Sequence, residues 1–308
     1  MTQPRAVLPG QNYMVTRRCT QRQFLMRPDD DTNQAFEYCL AVAAERTGIE
    51  LLFTIAMSNH HHTGIHDPDG RYPEFLEYFH RLFAKCQNAL RGRWENFWSS
   101  EQTSIVRLLS DHDVLDKLIY AVTNPVKDQL VERVVDWPGV SSYRANRTGE
   151  VKTIARPKHF FRDDGSMPEH VVLEFHRPKT FDSLSSEQWT ALLGRMIKEV
   201  EFRAAARRLE SRTKVVGRAA ILKQRWQGRP QSIEPRRGLN PRVAAKSTWS
   251  RIEALQRDKA FAKAYREARL LLAAGYNYVR FPDGAYWMMR FMAVVCWVDT
   301  FPPEQFAM

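Results

Sequence analysis

The sequence predicts an α+β fold for the first half of the chain, because hydrophobic patterns of strands and helices alternate there. Apolar runs rich in β-branched and aromatic residues indicate strands, and apolar residues at helical spacing indicate helices. Strands are predicted over 12–18, 49–57, 59–66 and 102–109, and helices over 30–47 and 73–90. The order β-α-β-β-α-β is that of the ferredoxin-like split unit, in which two helices cover one sheet face and leave the other free for a site.

Each predicted helix has an apolar stripe at a spacing of three to four residues, the pattern of a helix packed on a core. The stripes are Ala35, Phe36, Cys39, Leu40 and Ala43 in the first helix and Phe75, Phe79, Leu82, Phe83, Cys86 and Leu90 in the second. Gly48 ends the first helix. The short connection Ser58-Asn59 predicts that the second and third strands pair directly.

A third helix is predicted from Ser110 to about Asn124. Ser110 and Asp113 form the S-x-x-D pattern of a capped helix N-terminus. Pro125 interrupts this helix, and a residue that precedes a proline is biased out of the α region.

The polar stretch 136–150 marks a predicted boundary between a domain at 1–147 and a basic, mainly helical region at 148–308. We expect the second region to bind DNA or to serve as an accessory domain. Its patterns predict helices over about 185–213, 214–226 and 248–273, a Pro/Gly/Arg-rich linker over 228–242 and a short hairpin over 276–298.

Composition excludes several classes of protein. The chain has 308 residues, of which 44% are hydrophobic and 11% aromatic, which is too apolar for a disordered chain. No apolar run approaches the ~18 residues of a membrane span, and the N-terminal residues lack the apolar core of a secretory signal. Four scattered cysteines indicate a reducing cytosol rather than a disulfide framework, so we expect a cytoplasmic protein.

Positive charge is concentrated in the second half of the chain. The whole chain has a net charge of +11, residues 1–150 have −2, and residues 151–308 have +13. The segment 195–270 alone has +14. Such a segment favours a polyanionic partner, although a solvated helical surface would show the same charge.

Three consecutive histidines lie on the third predicted strand. Side chains alternate along a strand, so His60 and His62 share one face and His61 points to the other. Two imidazoles so placed can bind one divalent cation, although an H-x-H pair also occurs by chance. His66 is predicted on the same face as a substrate contact or a surface residue, with a ligand role less favoured.

Tyr120 and Asn124 lie one turn apart on the outer face of the third helix, away from its apolar stripe. Tyr120 is therefore either an ordinary exposed tyrosine or a hydroxyl presented to a site. The helical pattern does not choose between these two interpretations.

Taken in order, two motifs resemble the single-tyrosine HUH transposases, and more narrowly the REP-associated tyrosine transposases. They are Met57-Ser58-Asn59-His60-His61-His62 and Tyr120-Ala-Val-Thr-Asn124-Pro125-Val126-Lys127. The flanks Thr16-Arg17-Arg18, Asn96-Phe97-Trp98 and Trp137-Pro138-Gly139-Val140-Ser141-Ser142-Tyr143-Arg144 agree as well. The resemblance covers about 12–147.

This resemblance implies an enzyme that nicks and rejoins single-stranded DNA at hairpin or palindromic sequences. It implies that His60, His62 and Asn124 hold Mg²⁺ or Mn²⁺ and that Tyr120 is the nucleophile. Attack by Tyr120 would leave a 5′-phosphotyrosine and a free 3′-OH, and the covalent link would allow strand transfer without ATP. The expected partner is DNA, not a membrane, and the resemblance fits either a monomer or a homodimer.

Three residues depart from the family pattern. His61 stands where the family has a bulky apolar or aromatic residue, and Thr63 and Gly64 stand where it prefers aliphatic ones. Because His61 should face away from the metal, we expect its effect on packing rather than on chemistry. The departures leave open a second hypothesis, a decayed or domesticated copy that binds palindromic DNA without cutting it. A third, a phosphoesterase of the two H-x-T type, lacks the second motif that it needs.

Guanidinium and aromatic side chains interleave after the second helix, a mixture suited to single-stranded DNA. Phe97 and Trp98 either belong to this surface or close the hydrophobic core. At most one of Arg17 and Arg18 can face the site, because they alternate on a strand. The predicted DNA contacts are Arg17, Arg18, Arg91, Arg93, Trp94, Lys127, Arg144, Arg207, Arg208, Arg236 and Arg237.

Overall fold

A mixed α+β architecture is seen in the computed structural model, which describes residues 3–232, 241–276, 278–292 and 294–297. The first half contains β1 (Gln11–Arg18), α1 (Asp30–Thr47), β2 (Glu50–Met57), β3 (His60–Asp67), α2 (Tyr72–Arg91), β4 (Ser104–Leu108), α3 (Asp111–Val122), α4 (Asn124–Lys127) and α5 (Tyr143–Thr148). This confirms the predicted order β-α-β-β-α-β. Within the described ranges, no helix combines the length and apolar character that crossing a membrane requires.

The second half adds helices and several short strands. Its elements are β5 (Lys152–Ala155), β6 (His170–Leu173), α6 (Ser186–Ser211), α7 (Arg218–Leu222), β7 (Val243–Ala244), α8 (Thr248–Ala273), β8 (Arg280–Pro282), α9 (Tyr286–Met292) and β9 (Val295–Trp297). The hairpin predicted over 276–298 is wrong, because α9 separates β8 from β9 and these two strands pair in parallel. The helix predicted over 214–226 shortens to α7, since Gly217 before it has a φ of +84°.

One five-stranded sheet organises the molecule, with the strand order β2-β3-β1-β4-β7. The neighbours among the first four strands are antiparallel, and β7 joins the edge parallel to β4. Ser58 and Asn59 form the tight turn between β2 and β3, as predicted. β3 lies between β2 and β1, and its side chains are mostly buried on both sheet faces.

Helices α1 and α2 pack on one face of the sheet. Their buried side chains, which include Phe36, Phe75, Phe79 and Phe83, form a core with β1, β2 and the hairpin of β5 and β6. The periodic stripes predicted from the sequence therefore face this core.

The opposite face is not free, contrary to the expectation from the sequence. Helix α3 packs on it, and α6 adds the buried residues Trp189, Leu193 and Ile197 to the same core. The predicted loop 136–150 also differs, because Trp137 is buried and donates from Nε1 to the carbonyl of Ala56 in β2. What remains open on this face is a cavity at one end of β3.

A break at Thr123 separates α3 from α4. Helix α3 begins with the predicted capping box of Ser110 and Asp113 and ends at Val122. Thr123 has φ −91° and ψ 0°, and Asn124 then starts the single turn α4. Pro125 is in the first turn of α4, where a helix has no use for the N–H that proline lacks.

Candidate active site

His60 and His62 project from β3 toward α3, and hydrogen bonds orient both rings. His60 Nδ1 lies 2.8 Å from the Asn59 side-chain oxygen, whose amide nitrogen donates to the carbonyl of Arg22. Because that oxygen can only accept, His60 carries its proton on Nδ1 and leaves the Nε2 lone pair available. His62 Nδ1 lies 2.7 Å from the Thr16 hydroxyl across the pairing of β1 and β3. Such partners commonly hold metal-binding imidazoles in place.

The two Nε2 atoms converge on Asn124. The Asn124 amide nitrogen lies 3.4 Å from His60 Nε2 and 3.3 Å from His62 Nε2. Burial lowers the pKa of His60 to about 3, and burial together with the neighbouring His60 lowers the pKa of His62. Both rings are therefore neutral at pH 7, which is the state that binds a cation.

These residues fit a divalent cation. Two neutral imidazole lone pairs meet at one point, and the amide NH₂ of Asn124 now satisfies both. Turning that amide by half a rotation presents its oxygen, a ligand that hard cations prefer. Among the described residues, no three His, Cys, Asp or Glu side chains group closely enough to hold a metal, and the Asn124 amide is the third candidate ligand beside the two histidines.

Tyr120 lies beside this pair on the outer side of α3. Its side chain is 42% exposed, and its ring centre lies 5.6 Å from that of His62, with the rings nearly perpendicular. The break at Thr123 does not separate Tyr120 from Asn124, since both line the same cavity. The structure thus brings together the four residues singled out from the two sequence motifs.

The cavity above the histidines has a volume of about 610 Å³ and is open on one side. One wall comes from the segment 216–232, which the sequence did not connect with the site. Gln224 accepts a hydrogen bond from Ser58 at 2.9 Å, and Val216 donates to the carbonyl of Gln129 at 2.9 Å. The lining residues are Arg18, Arg22, Phe24, Met57, Ser58, Asn59, His60, His62, Tyr120, Asn124, Asp128, Leu130, Val216, Gln224, Pro230 and Ser232.

His61 points away from the cavity, which confirms the predicted strand register. It is fully buried in the core under α1 and α2, with its ring among those of Phe36, Phe79, His80 and Trp98. His66, two pleats further along β3, bonds to Asn12 at 2.8 Å and is not near the cavity.

Two predicted DNA contacts lie outside the site. Arg17 is on the far face of the sheet, where it bonds to His80 and stacks 5.3 Å from the Trp98 ring centre. The Arg91 guanidinium is bound to Asp29 at 2.7 Å, next to the N-terminus of α1. We therefore remove Arg17 and Arg91 from the predicted contacts. Phe97 and Trp98 are buried, which favours their core interpretation.

The other predicted contacts differ in position. Arg18 lines the cavity, and Lys127 lies against Tyr120. Trp94 is 97% exposed, and the adjacent Arg93 lies 5.6 Å from the ring centre of Trp226. Further away are Arg144, which pairs with Glu150, and Arg207 and Arg208 near the end of α6, whereas Arg236 and Arg237 fall outside the described residues.

Comparisons with known proteins found similarity to solved structures. No family model and no curated protein matches the chain. Among solved structures, the chain is similar to a REP-associated tyrosine transposase bound to a REP hairpin, with a TM-score of 0.40 and 19% identity. The match covers 56% of this chain and 99% of the other. At this level of similarity the site itself must support any functional conclusion.

Proposed function

We propose that the chain is a metal-dependent enzyme that nicks and rejoins single-stranded DNA, with Tyr120 as the nucleophile. The observation that carries this proposal is the convergence of His60 and His62 on Asn124, with the Tyr120 ring beside them in one open cavity. A cation site next to a half-exposed tyrosine is the set of groups that transesterification of a phosphodiester needs.

In this mechanism His60, His62 and Asn124 would hold Mg²⁺ or Mn²⁺, and the cation would polarise the scissile phosphodiester. The phenol of Tyr120 gives its proton to water, and its oxygen forms a bond to phosphorus. The bond between phosphorus and the 3′ oxygen breaks, and that oxygen takes up a proton to become a 3′-OH. Attack of a 3′-OH on the 5′-phosphotyrosine reverses these steps and transfers the strand.

We also assign the first four strands to a ferredoxin-like sheet. The strand order β2-β3-β1-β4 and the antiparallel pairing of each neighbouring pair support this assignment. In such a sheet the two central strands are β1 and β3, and here they supply Thr16, His60 and His62 to the site.

The proposed substrate is single-stranded DNA with a hairpin or palindromic element. Arg18 and Arg22 line the cavity, and the exposed ring of Trp94 offers a stacking surface for a base. The net charge of +14 over 195–270 would attract the phosphates of a hairpin stem, with Arg144, Arg207 and Arg208 as candidate contacts.

A gel assay tests this function. The protein is incubated with a pool of single-stranded hairpin oligonucleotides in Mn²⁺ or Mg²⁺, and products are separated under denaturing conditions. We expect a covalent protein–DNA band that EDTA, His60→Ala and His62→Ala each abolish. Tight binding of hairpins with no cleavage under any of these conditions would contradict the enzyme and leave a palindrome-binding protein.

A further inference from the structure

Lys127 is held against the proposed nucleophile by two contacts. Its ammonium donates a hydrogen bond to the Tyr120 carbonyl at 2.8 Å and lies 3.8 Å from the centre of the Tyr120 ring. Lys117, on the preceding turn of α3, is also near the ring but lies 5.5 Å from its centre. Lys127 thus contacts both the backbone and the ring of Tyr120, whereas Lys117 lies further from the ring.

The contact with Lys127 spans the break in the helix at Thr123. In a continuous α-helix, residues seven positions apart are separated by about 10.5 Å along the axis. Here the irregular Thr123 and the new turn α4 lie between the two residues, and the Lys127 ammonium reaches back to the Tyr120 carbonyl. The same turn carries Asn124, and α4 therefore supplies both the amide at the histidine pair and the ammonium at the tyrosine.

The contact suits the chemistry of an attacking phenol. As the phenol loses its proton, negative charge spreads over the ring, and a cation over the ring face attracts that charge. Lys127 is exposed, so water weakens this attraction, but the ammonium stays charged at pH 7 because desolvation lowers its pKa only to about 8.

We propose that Lys127 is a positioning residue for Tyr120, which holds the ring for attack and stabilises the charge that develops on it. This role rests on the proposed function, in which Tyr120 is the nucleophile. A positioning role and a phosphate contact would affect different measurable quantities. A phosphate contact sets DNA affinity and its salt dependence, whereas a positioning residue sets the rate of the covalent step on bound DNA.

The test compares Lys127→Met, Lys127→Arg and the matched control Lys117→Met in the full chain, on a hairpin oligonucleotide that the wild type cleaves. Single-turnover rates of adduct formation are measured at saturating DNA, and dissociation constants are measured over a range of salt concentrations. We expect Lys127→Met to slow the covalent step on the order of tenfold, with an unchanged dissociation constant and salt slope. Lys127→Arg should recover most of the rate, and Lys117→Met should lose less.

Two results would overturn this role while leaving the proposed function intact. One is a wild-type rate in Lys127→Met. The other is weaker binding with a salt slope shallower by about 0.7, which identifies a phosphate contact instead. Equal melting temperatures of the Met and Arg variants would exclude a folding defect as the cause of a rate difference. A wild type that forms no adduct would contradict the proposed function itself and, with it, this role.

Discussion

His61 brings a polar group into the core beneath α1 and α2, and a chain of hydrogen bonds accommodates it. Arg17 can only donate, so His80 accepts at Nδ1 at 2.9 Å and carries its own proton on Nε2. His80 Nε2 then donates to His61 Nε2 at 3.0 Å, and His61 donates from Nδ1 to the Thr63 hydroxyl at 3.0 Å. Burial lowers the pKa of both histidines, in agreement with two neutral rings. His80 and Thr63 therefore supply the hydrogen-bond partners that the buried His61 needs.

The costs of replacing the two histidines of this pair should not be additive. His61→Leu leaves the His80 N–H without an acceptor and should lower the free energy of unfolding by about 1–3 kcal/mol. His80→Leu removes the partner of His61 and also the acceptor of Arg17, so it should cost at least as much. The double variant should cost less than the sum of the two, because no imidazole then remains without its partner. Urea unfolding of the four proteins measures the coupling, and strictly additive costs would contradict the proposed pairing.

The buried histidines also predict that acid destabilises the fold. The pKa values of His60 and His61 are about 3 because of burial, whereas an unfolded histidine has a pKa of about 6.5. Between these values the unfolded chain binds more protons, so the free energy of unfolding falls as pH drops below 6.5. Each residue contributes up to about 1.4 kcal/mol per pH unit. Urea midpoints at pH 7, 6 and 5 check this, and the double Leu variant should show a smaller slope.

The helices, strands and turns whose signals lie in neighbouring residues could be predicted from the sequence. The stripes of α1 and α2, the turn at Ser58-Asn59 and the cap of α3 were all readable, because each depends on residues close in sequence. The pair of His60 and His62 with Tyr120 and Asn124 followed from strand alternation and helical spacing together with the two motifs. The cavity wall at 216–232 was missed, because it depends on contacts such as Ser58 with Gln224, 166 residues apart. The four-residue strands β5 and β6 were missed because they are too short to show a period.

Packing in the sheet explains why β3 has Gly64 where the transposase pattern prefers an aliphatic residue. It pairs with Phe53 across the sheet, and a β-carbon at this position would overlap the Phe53 ring. Gly64→Ala should therefore lower the free energy of unfolding by about 1–3 kcal/mol through overpacking. The matched control is Gly194→Ala in α6, where the new methyl meets no atom within 4 Å and should stabilise the helix by about 1 kcal/mol.

Chemical denaturation of both alanine variants measures the difference. Adding Phe53→Leu should reduce the cost of Gly64→Ala, since the smaller side chain makes room for the methyl. A Gly64→Ala protein as stable as the wild type would show that the Phe53 ring does not restrict this position.

In the whole molecule, the two halves of the chain differ in net charge, but residues of both halves pack into the same hydrophobic cores. The nearly neutral first half carries the histidines and Tyr120, and most of the positive charge lies beyond residue 150. Yet Trp189 of α6 is buried against the first half and donates from Nε1 to the Asn146 carbonyl at 2.7 Å. The hairpin of β5 and β6 also packs on α1.

Truncation after residue 147 should therefore destabilise the first half. Loss of α6 removes Trp189, Leu193 and Ile197 from the core shared with α3 and exposes its apolar residues to water. We expect this fragment to lose cooperative thermal unfolding, whereas a chain that ends at Ser232 keeps α6 and the cavity wall and should melt cooperatively. A stable 1–147 fragment with a sharp melt would instead support an independent domain.

In the proposed function, Tyr120 forms the covalent bond to DNA beside His60 and His62. The most direct measurement is mass spectrometry of the adduct after digestion with protease and nuclease, on protein trapped with a cleavable hairpin oligonucleotide in Mn²⁺. We expect one modified peptide, with a nucleotide 5′-phosphate on Tyr120, and no adduct from Tyr120→Phe although that variant still binds DNA. An adduct on another residue, or one that persists in Tyr120→Phe, would show that Tyr120 is not the nucleophile.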